Sequence, residues 1–222
     1  MSGSNQFPRL QKFTSTSPHE TLSNPHPESL QAASLWQRLR NRRLTPRKML
    51  VYAASIALLV VADPVAMTFL VGALLVVLGL TIRIWTFGHL RKNAKLVTTG
   101  PYAYTRHPAY LGSTLILAGL FLAAGNPHTA PGQALWVAGV VGIGICFCIY
   151  LPRKFKREDR RLRRLFPKQS ERHAAHVPGF FPRLTPWHSG DNSRFSWYCV
   201  NANHELVWPL ACFIALGLMW VG

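Results

Sequence analysis

Residues 96–112 read LVTTGPYAYTRHPAYLG and pack basic, aromatic, proline and glycine residues between two long apolar runs. Gly100-Pro101 marks a turn, and Pro108 suits the first turn of a helix, where its missing N–H removes no bond and its fixed φ already fits. Arg106 and His107 therefore fall at a helix N-terminus. Free amides and the positive dipole end favour an anion there, and Arg106 adds a planar donor fork for a carboxylate or phosphate. Tyr102, Tyr104 and Tyr110 supply three aromatic faces able to stack on a flat base or attract a cation. The same composition also describes a membrane-interface loop with positive-inside residues and an aromatic belt.

A second stretch with chemical potential is residues 153–172, which holds ten Lys/Arg and three acids. Its helical pattern places Leu162, Leu165 and Phe166 on one side, and most of its charges read as a solvated or headgroup-facing surface. Glu158, a carboxylate among so many cations, is a candidate site residue, with a helical pairing to Arg161 as the structural alternative. His173 and His176 with His188 read as helix-surface histidines rather than metal ligands, and no metal site is expected. Cys146, Cys148, Cys199 and Cys212 form neither a disulfide framework nor a zinc pattern. There is no G-x-G-x-x-G, P-loop or H-E-x-x-H, so a soluble nucleotide fold or zinc hydrolase has no support.

The elements that must position these groups are apolar runs. The chain has 222 residues, 49% of them hydrophobic, and these are bunched rather than spread at helical period, which indicates a membrane protein. Spans are expected at residues 46–62, 65–85, 108–124, 133–151 and 206–222, with a tight turn at Asp63-Pro64. Arg83, near the end of the second span, should snorkel or reach a polar cavity. Gly139, Gly142 and Gly144 in the fourth span should allow a neighbouring helix to approach closely. The net charge of +17 raises nucleic acid as a partner. The basic clusters lie beside apolar spans, however, so membrane lipids are expected instead and no nucleic acid.

Residues 1–28 read as a disordered tail and residues 29–44 as an amphipathic basic helix on an anionic leaflet, or as the plain positive flank of the first span. The domains are thus 1–44, a membrane core at 45–182, and a loop plus C-terminal transmembrane helix at 183–222. The N-terminal region, the 90–107 loop and the 152–186 segment are basic, whereas the Asp63 turn and the 125–132 loop are not. With five spans, all basic regions fall on one side, the cytoplasmic one. The expected fold is all-α, a multi-span membrane helical bundle of about five transmembrane helices, with an interfacial pocket facing the cytoplasm.

The 96–112 motif, followed by two apolar helices, Glu158-Asp159, Leu162, Phe166 and Val177-Pro178, resembles the isoprenylcysteine carboxyl methyltransferase and phospholipid methyltransferase superfamily over roughly residues 78–182. The resemblance implies S-adenosylmethionine as cofactor and methyl transfer to a lipophilic or small-molecule acceptor: a carboxylate, amine or thiol. It implies cofactor contacts from Leu96, Val97, Tyr102, His107, Pro108, Ala109, Tyr110 and Glu158, with Arg106 and Glu158 as the catalytic pair. Lys154 matches a basic residue near the acceptor, where Lys in place of Arg loses the bidentate fork. Ser170 and His173 stand where the family carries tyrosines, which implies a wider or more polar acceptor entrance. The alternatives are an NADPH-dependent membrane reductase of the sterol-reductase type, with a related helical core, and a non-catalytic membrane protein whose basic segments contact lipid or partners.

Overall fold

The computed structural model describes residues 46–92 and 94–221. The chain divides into two units, 1–49 and 50–222. The expected tail and amphipathic helix at 1–44 lie outside the described residues. Among those described, every regular element is helical. In chain order they are α1 (Pro46–Val60), α2 (Ala66–His89), a 3-10 turn (Gly100–Ala103), α3 (Pro108–Ala124), α4 (Ala130–Ile145), a π-helical segment (Cys146–Tyr150), α5 (Leu151–Leu165), α6 (Pro167–His176), α7 (Trp197–Ala202) and α8 (Val207–Val221).

The spine is the antiparallel pair α2 and α3. A Cβ added at Gly72 would lie 2.5 Å from the Gly119 carbonyl oxygen, and one at Gly79 2.6 Å from that of Gly112. Four glycines in two facing pairs therefore bring the backbones together, the small-residue packing that serves where lipid supplies no hydrophobic drive between helices. Val76, Leu80, Ile116 and Ala123 fill the same seam, joined by Cys212 and Leu216 of α8. Elsewhere the apolar faces are open: Leu74 is 69% exposed on α2 and Val140 73% on α4. Continuous exposed apolar surface of this kind marks a lipid-facing belt.

Two helices are long and apolar enough to cross a membrane, Ala66–His89 and the continuous rod Ala130–Leu165; Pro108–Ala124 and Val207–Val221 are shorter apolar helices. Gly139 meets the Phe121 ring as expected, but an added Cβ at Gly142 or Gly144 would meet nothing within 4 Å. Those two glycines face open space. Close approach is made by the α2–α3 glycines instead, which periodicity alone does not single out.

Two local features shape the rod that carries Glu158. Pro152 has no N–H to give to a carbonyl one turn back, and the helix widens just before it: the Leu151 N–H donates to the Cys146 carbonyl, five residues earlier. Pro167 ends the rod, because it forces the preceding residue out of the α region, and Phe166 sits at φ −138° and ψ 66°. The basic stretch is thus two helices, α5 and α6, bent around a hollow rather than one.

At the far end of the spine, Asp63 ties the α1–α2 turn to the α3–α4 loop. Its carboxylate accepts from Asn126 Nδ2 at 3.0 Å and Thr129 Oγ1 at 2.8 Å, and its N–H donates to the Ala124 carbonyl. The two connections expected on one side therefore meet.

Candidate active site

The loop from α2 to α3 is held as a platform. Gly100 adopts φ +60°, and a Cβ there would lie 2.7 Å from the His89 ring, so the turn requires glycine. Asp191 pins the loop from outside: it takes Lys95 Nζ at 2.5 Å and the Thr98 N–H at 3.1 Å. These hydrogen bonds outweigh its partial burial and hold its pKa down at about 2. Residues 177–187 then strap the platform. The Arg106 and His107 N–H groups donate to the Pro178 and Gly179 carbonyls, and those of Arg183 and Trp187 to the Tyr104 and Ala103 carbonyls. The amides of Arg106 and His107, expected to be free for an anion, are consumed by this strap.

What the platform presents is a charged cluster against α5. His107 is buried and stacks face to face on Phe155, with centroids 4.1 Å apart. Its Nδ1 lies 3.3 Å from Glu158 Oε2, and its Nε2 lies 3.5 Å from Asp159 Oδ1 without hydrogen-bond geometry. Arg106 Nη1 donates to Asp159 Oδ2 at 2.8 Å, and the Tyr110 hydroxyl donates to Glu158 Oε1 at 2.5 Å. Neighbouring acids on a helix point about 100° apart, which lets Glu158 and Asp159 reach opposite sides of one imidazole. Glu158 does not need Arg161 as its helical partner; among its contacts are His107, Tyr110 and, at 4.0 Å, Lys154.

Burial disfavours every charge in this cluster, yet the partners win. The two carboxylates facing its ring outweigh burial and raise the His107 pKa above its ordinary value. Hydrogen bonds from His107 and Tyr110 lower that of Glu158, and His107 with the Arg106 charge lowers that of Asp159. The Tyr102 hydroxyl is pushed up by burial and then by the Glu158 charge. The cluster is therefore a set of groups whose partners offset the cost of burying their charges.

A cavity of about 340 Å³ opens beside it. It lies in the size range of pockets that take small ligands. Leu96, Val97, Tyr102, Arg106, His107, Pro108, Ala109, Tyr110 and Glu158 all line it. The structure thus brings nine of the ten expected site residues to one wall system, although Arg106 is already engaged by Asp159. Lys154 is the exception: it does not line the cavity and is 40% exposed one turn before Glu158. Ser170 and His173 do line it, but as buried wall residues. His173 Nε2 meets the Tyr102 carbonyl at 2.9 Å and its ring stacks on Trp187, as the exposed His176 ring does. Burial, with the nearby Arg106 and His107 charges, lowers the His173 pKa. His173 therefore braces the platform rather than sitting on a helix surface.

Arg83 lines the cavity, in keeping with the expectation that it reach a polar one, and Asp159 and Phe155, which were not singled out, complete the site. Asp159 carried a legible signal, the doubled acid opposite a paired Arg-His; Phe155 carried none.

Residues 67–150 match the family model described as phospholipid methyltransferase. That segment, 84 of the 222 residues, is similar to the membrane methyltransferases of that family. The family's description is methyl transfer to phospholipid, and two helices here are long and apolar enough to cross a membrane. The match ends before Glu158, so the acidic wall lies outside it. The chain is 36% identical over 116 residues to the cobalt-zinc-cadmium resistance protein CzcN of Cupriavidus metallidurans, covering 51% of this chain and 49% of that protein. It is 33% identical over 130 residues to the nickel-cobalt-cadmium resistance protein NccN of Alcaligenes xylosoxydans xylosoxydans, covering 55% and 56%. The chain therefore spans about half the length of the curated relatives it matches. No solved structure matches it.

Proposed function

We propose that this protein transfers a methyl group from S-adenosylmethionine to a lipophilic acceptor that reaches the cavity from the bilayer. The observation that carries this reading is the convergence on one cavity of the RHP segment and the Glu158-Asp159 pair, which lie far apart in sequence and on either side of the end of the family match. The residues present fit the cofactor. Glu158, held ionised, suits an α-amino group, and Arg106 a carboxylate. Leu96, Val97, Pro108 and Ala109 offer apolar wall, and the Tyr102 and Tyr110 rings offer faces to an adenine or a sulfonium. When bound, the cofactor supplies an electrophilic methyl group for direct displacement.

The protein's part is to exclude water and align the partners. His107 lies between two carboxylates that raise its pKa against its burial, which suits it to fixing their positions. A carboxylate or thiolate acceptor arrives ready to attack, so little acid–base equipment is needed. Five spans, a cytoplasmic face for the cavity and a substrate contact from Lys154 belong to the same proposal. The relatives' names add a setting, resistance to divalent metal ions, in which methylation of a membrane component would contribute.

The test is incubation of the detergent-purified protein with methyl-labelled S-adenosylmethionine and total lipid extract, with NADPH binding measured in parallel. Label transferred to a lipid, with no NADPH binding, supports the reading. NADPH binding without S-adenosylmethionine binding overturns it in favour of a reductase. For orientation, cysteines introduced at Gln169 and His128 in a background lacking the native four should label from opposite sides of the membrane.

A further inference from the structure

Besides the charged cluster, the wall of the cavity carries a second buried cation, Arg83. It lies six residues before the end of α2, or about 9 Å along the helix axis at 1.5 Å per residue, and it lines the cavity with Phe87 and Ser113. A cation at that depth in an apolar helix is costly and calls for partners. Arg83 has them: Nε and Nη2 donate to Glu205 Oε2 at 3.1 and 2.7 Å, and Nη1 donates to Ser113 Oγ at 2.6 Å. Phe87 and Trp208 cover its planar group, with centroids 5.2 and 4.9 Å from Cζ. A guanidinium has five N–H donors. Three are used, which leaves one on each terminal nitrogen of a group that borders the cavity.

We propose that Arg83 binds the anionic oxygen atoms, carboxylate or phosphate, of the lipophilic methyl acceptor, with Glu205 and Ser113 as the positioning residues that hold its guanidinium. This rests on the methyltransferase reading of the cavity and names the acceptor class for it. The two groups of wall residues differ chemically. Carboxylates on α5 suit the cationic groups of the cofactor, whereas the two remaining Arg83 donors suit an anion and repel a protonated amine. Glu205 cancels the formal charge of Arg83 when the cavity is empty of ligand, which makes the buried cation tolerable. Both of its bonds from Arg83 fall on one carboxylate oxygen, so the terminal nitrogens keep a donor each. A tie serving only to join α2 to the turn between α7 and α8 would need neither a place on the cavity wall nor the hydroxyl of Ser113 on the next helix.

The probes are dodecanoate, dodecyl phosphate and dodecanol, titrated into the full-length protein in non-ionic detergent, with S-adenosylmethionine affinity measured on the same samples. Wild type should bind one or both anions at least about tenfold more tightly than dodecanol, the ratio that one charge-assisted hydrogen bond supports. The two anionic arms decide between carboxylate and phosphate. Arg83→Lys should shrink the preference while leaving dodecanol and S-adenosylmethionine affinities unchanged. Arg83→Gln alone strands a buried carboxylate, so the double substitution Arg83→Gln/Glu205→Gln, which removes both charges, keeps the test open if the single variant does not fold. No anion preference in wild type, or an undiminished one in the double variant, overturns the role of Arg83 alone. Failure of wild type to bind S-adenosylmethionine overturns the acceptor role together with the methyltransferase reading, even where the anion preference persists.

Discussion

The α2–α3 seam and the cluster around His107 share only α3, through Tyr110, and are held together by different physics. At the seam each facing glycine lies against the carbonyl oxygen of its partner, so shape sets the spacing, and the tolerance is a fraction of an ångström. The cluster depends on charges that burial opposes and partners restore, so each member is replaceable at a moderate cost. The seam decides whether the protein folds, and the cluster decides what the folded protein binds. Changes at the two places should therefore separate stability from affinity.

The largest effect is expected at the seam. Gly119→Leu places a side chain against the Gly72 carbonyl oxygen, where even a Cβ would lie 2.5 Å away. Overpacking on the order of 1–3 kcal/mol for smaller insertions is exceeded here because backbone must move. Little folded protein should survive detergent extraction, as judged by size-exclusion chromatography. A monodisperse, thermally stable Gly119→Leu would break the contrast.

Next comes Glu158→Gln, which keeps size and hydrogen bonding but removes charge. Loss of a charge-assisted bond should weaken S-adenosylmethionine binding by roughly 1.5–3 kcal/mol. Because Glu158 is more than a third exposed, the folding cost should stay under about 1 kcal/mol. A large fall in melting temperature with unchanged affinity would move Glu158 to the structural side of the comparison.

The pH dependence sharpens the same point. His107 has a raised pKa, so its contribution is complete below the ordinary imidazole value of 6.5 and fades as pH climbs through the raised one. Glu158 has a lowered pKa, so its contribution is complete above its ordinary value of 4.5 and fades as pH falls through the lowered one. These two groups together favour the folded state most between those two values, the lowered pKa of His173 acting against them below 6.5, and His107→Gln should flatten the alkaline limb of the melting-temperature profile. An alkaline limb unchanged by His107→Gln would show that another group sets it.

The smallest effect is expected at Lys154, which is 40% exposed and 4.0 Å from Glu158. Lys154→Met should change stability by under about 0.5 kcal/mol and leave S-adenosylmethionine affinity within twofold. Any larger loss in affinity would draw Lys154 into the cavity's electrostatics.

Much of this was legible because apolar runs and prolines carry unambiguous instructions. The expected third span and α3 share both ends at Pro108 and Ala124, since Pro marks the start and Gly125 the stop. The Leu96 to Tyr110 wall was legible because the motif is contiguous. The strap at 177–187 was not, since it acts through backbone carbonyls that any residue supplies. Nor was the engagement of Arg83 by Glu205, which joins residues 122 apart and leaves no local pattern. The widening before Pro152 shifted the end of the fourth helix, because a π-helical turn changes register without changing composition. Burial of Ser170 and His173 followed from the bend at Pro167, which turns α6 inward against Tyr102.

The central claim is that the cavity between the RHP segment and α5 binds S-adenosylmethionine through Glu158. Equilibrium binding of S-adenosylmethionine and NADPH to detergent-purified wild type and Glu158→Gln tests it most directly. Saturable S-adenosylmethionine binding to wild type, at least about tenfold weaker in Glu158→Gln, with no NADPH binding to either, is the expected result. Equal S-adenosylmethionine binding by both proteins, or binding of NADPH alone, would contradict it.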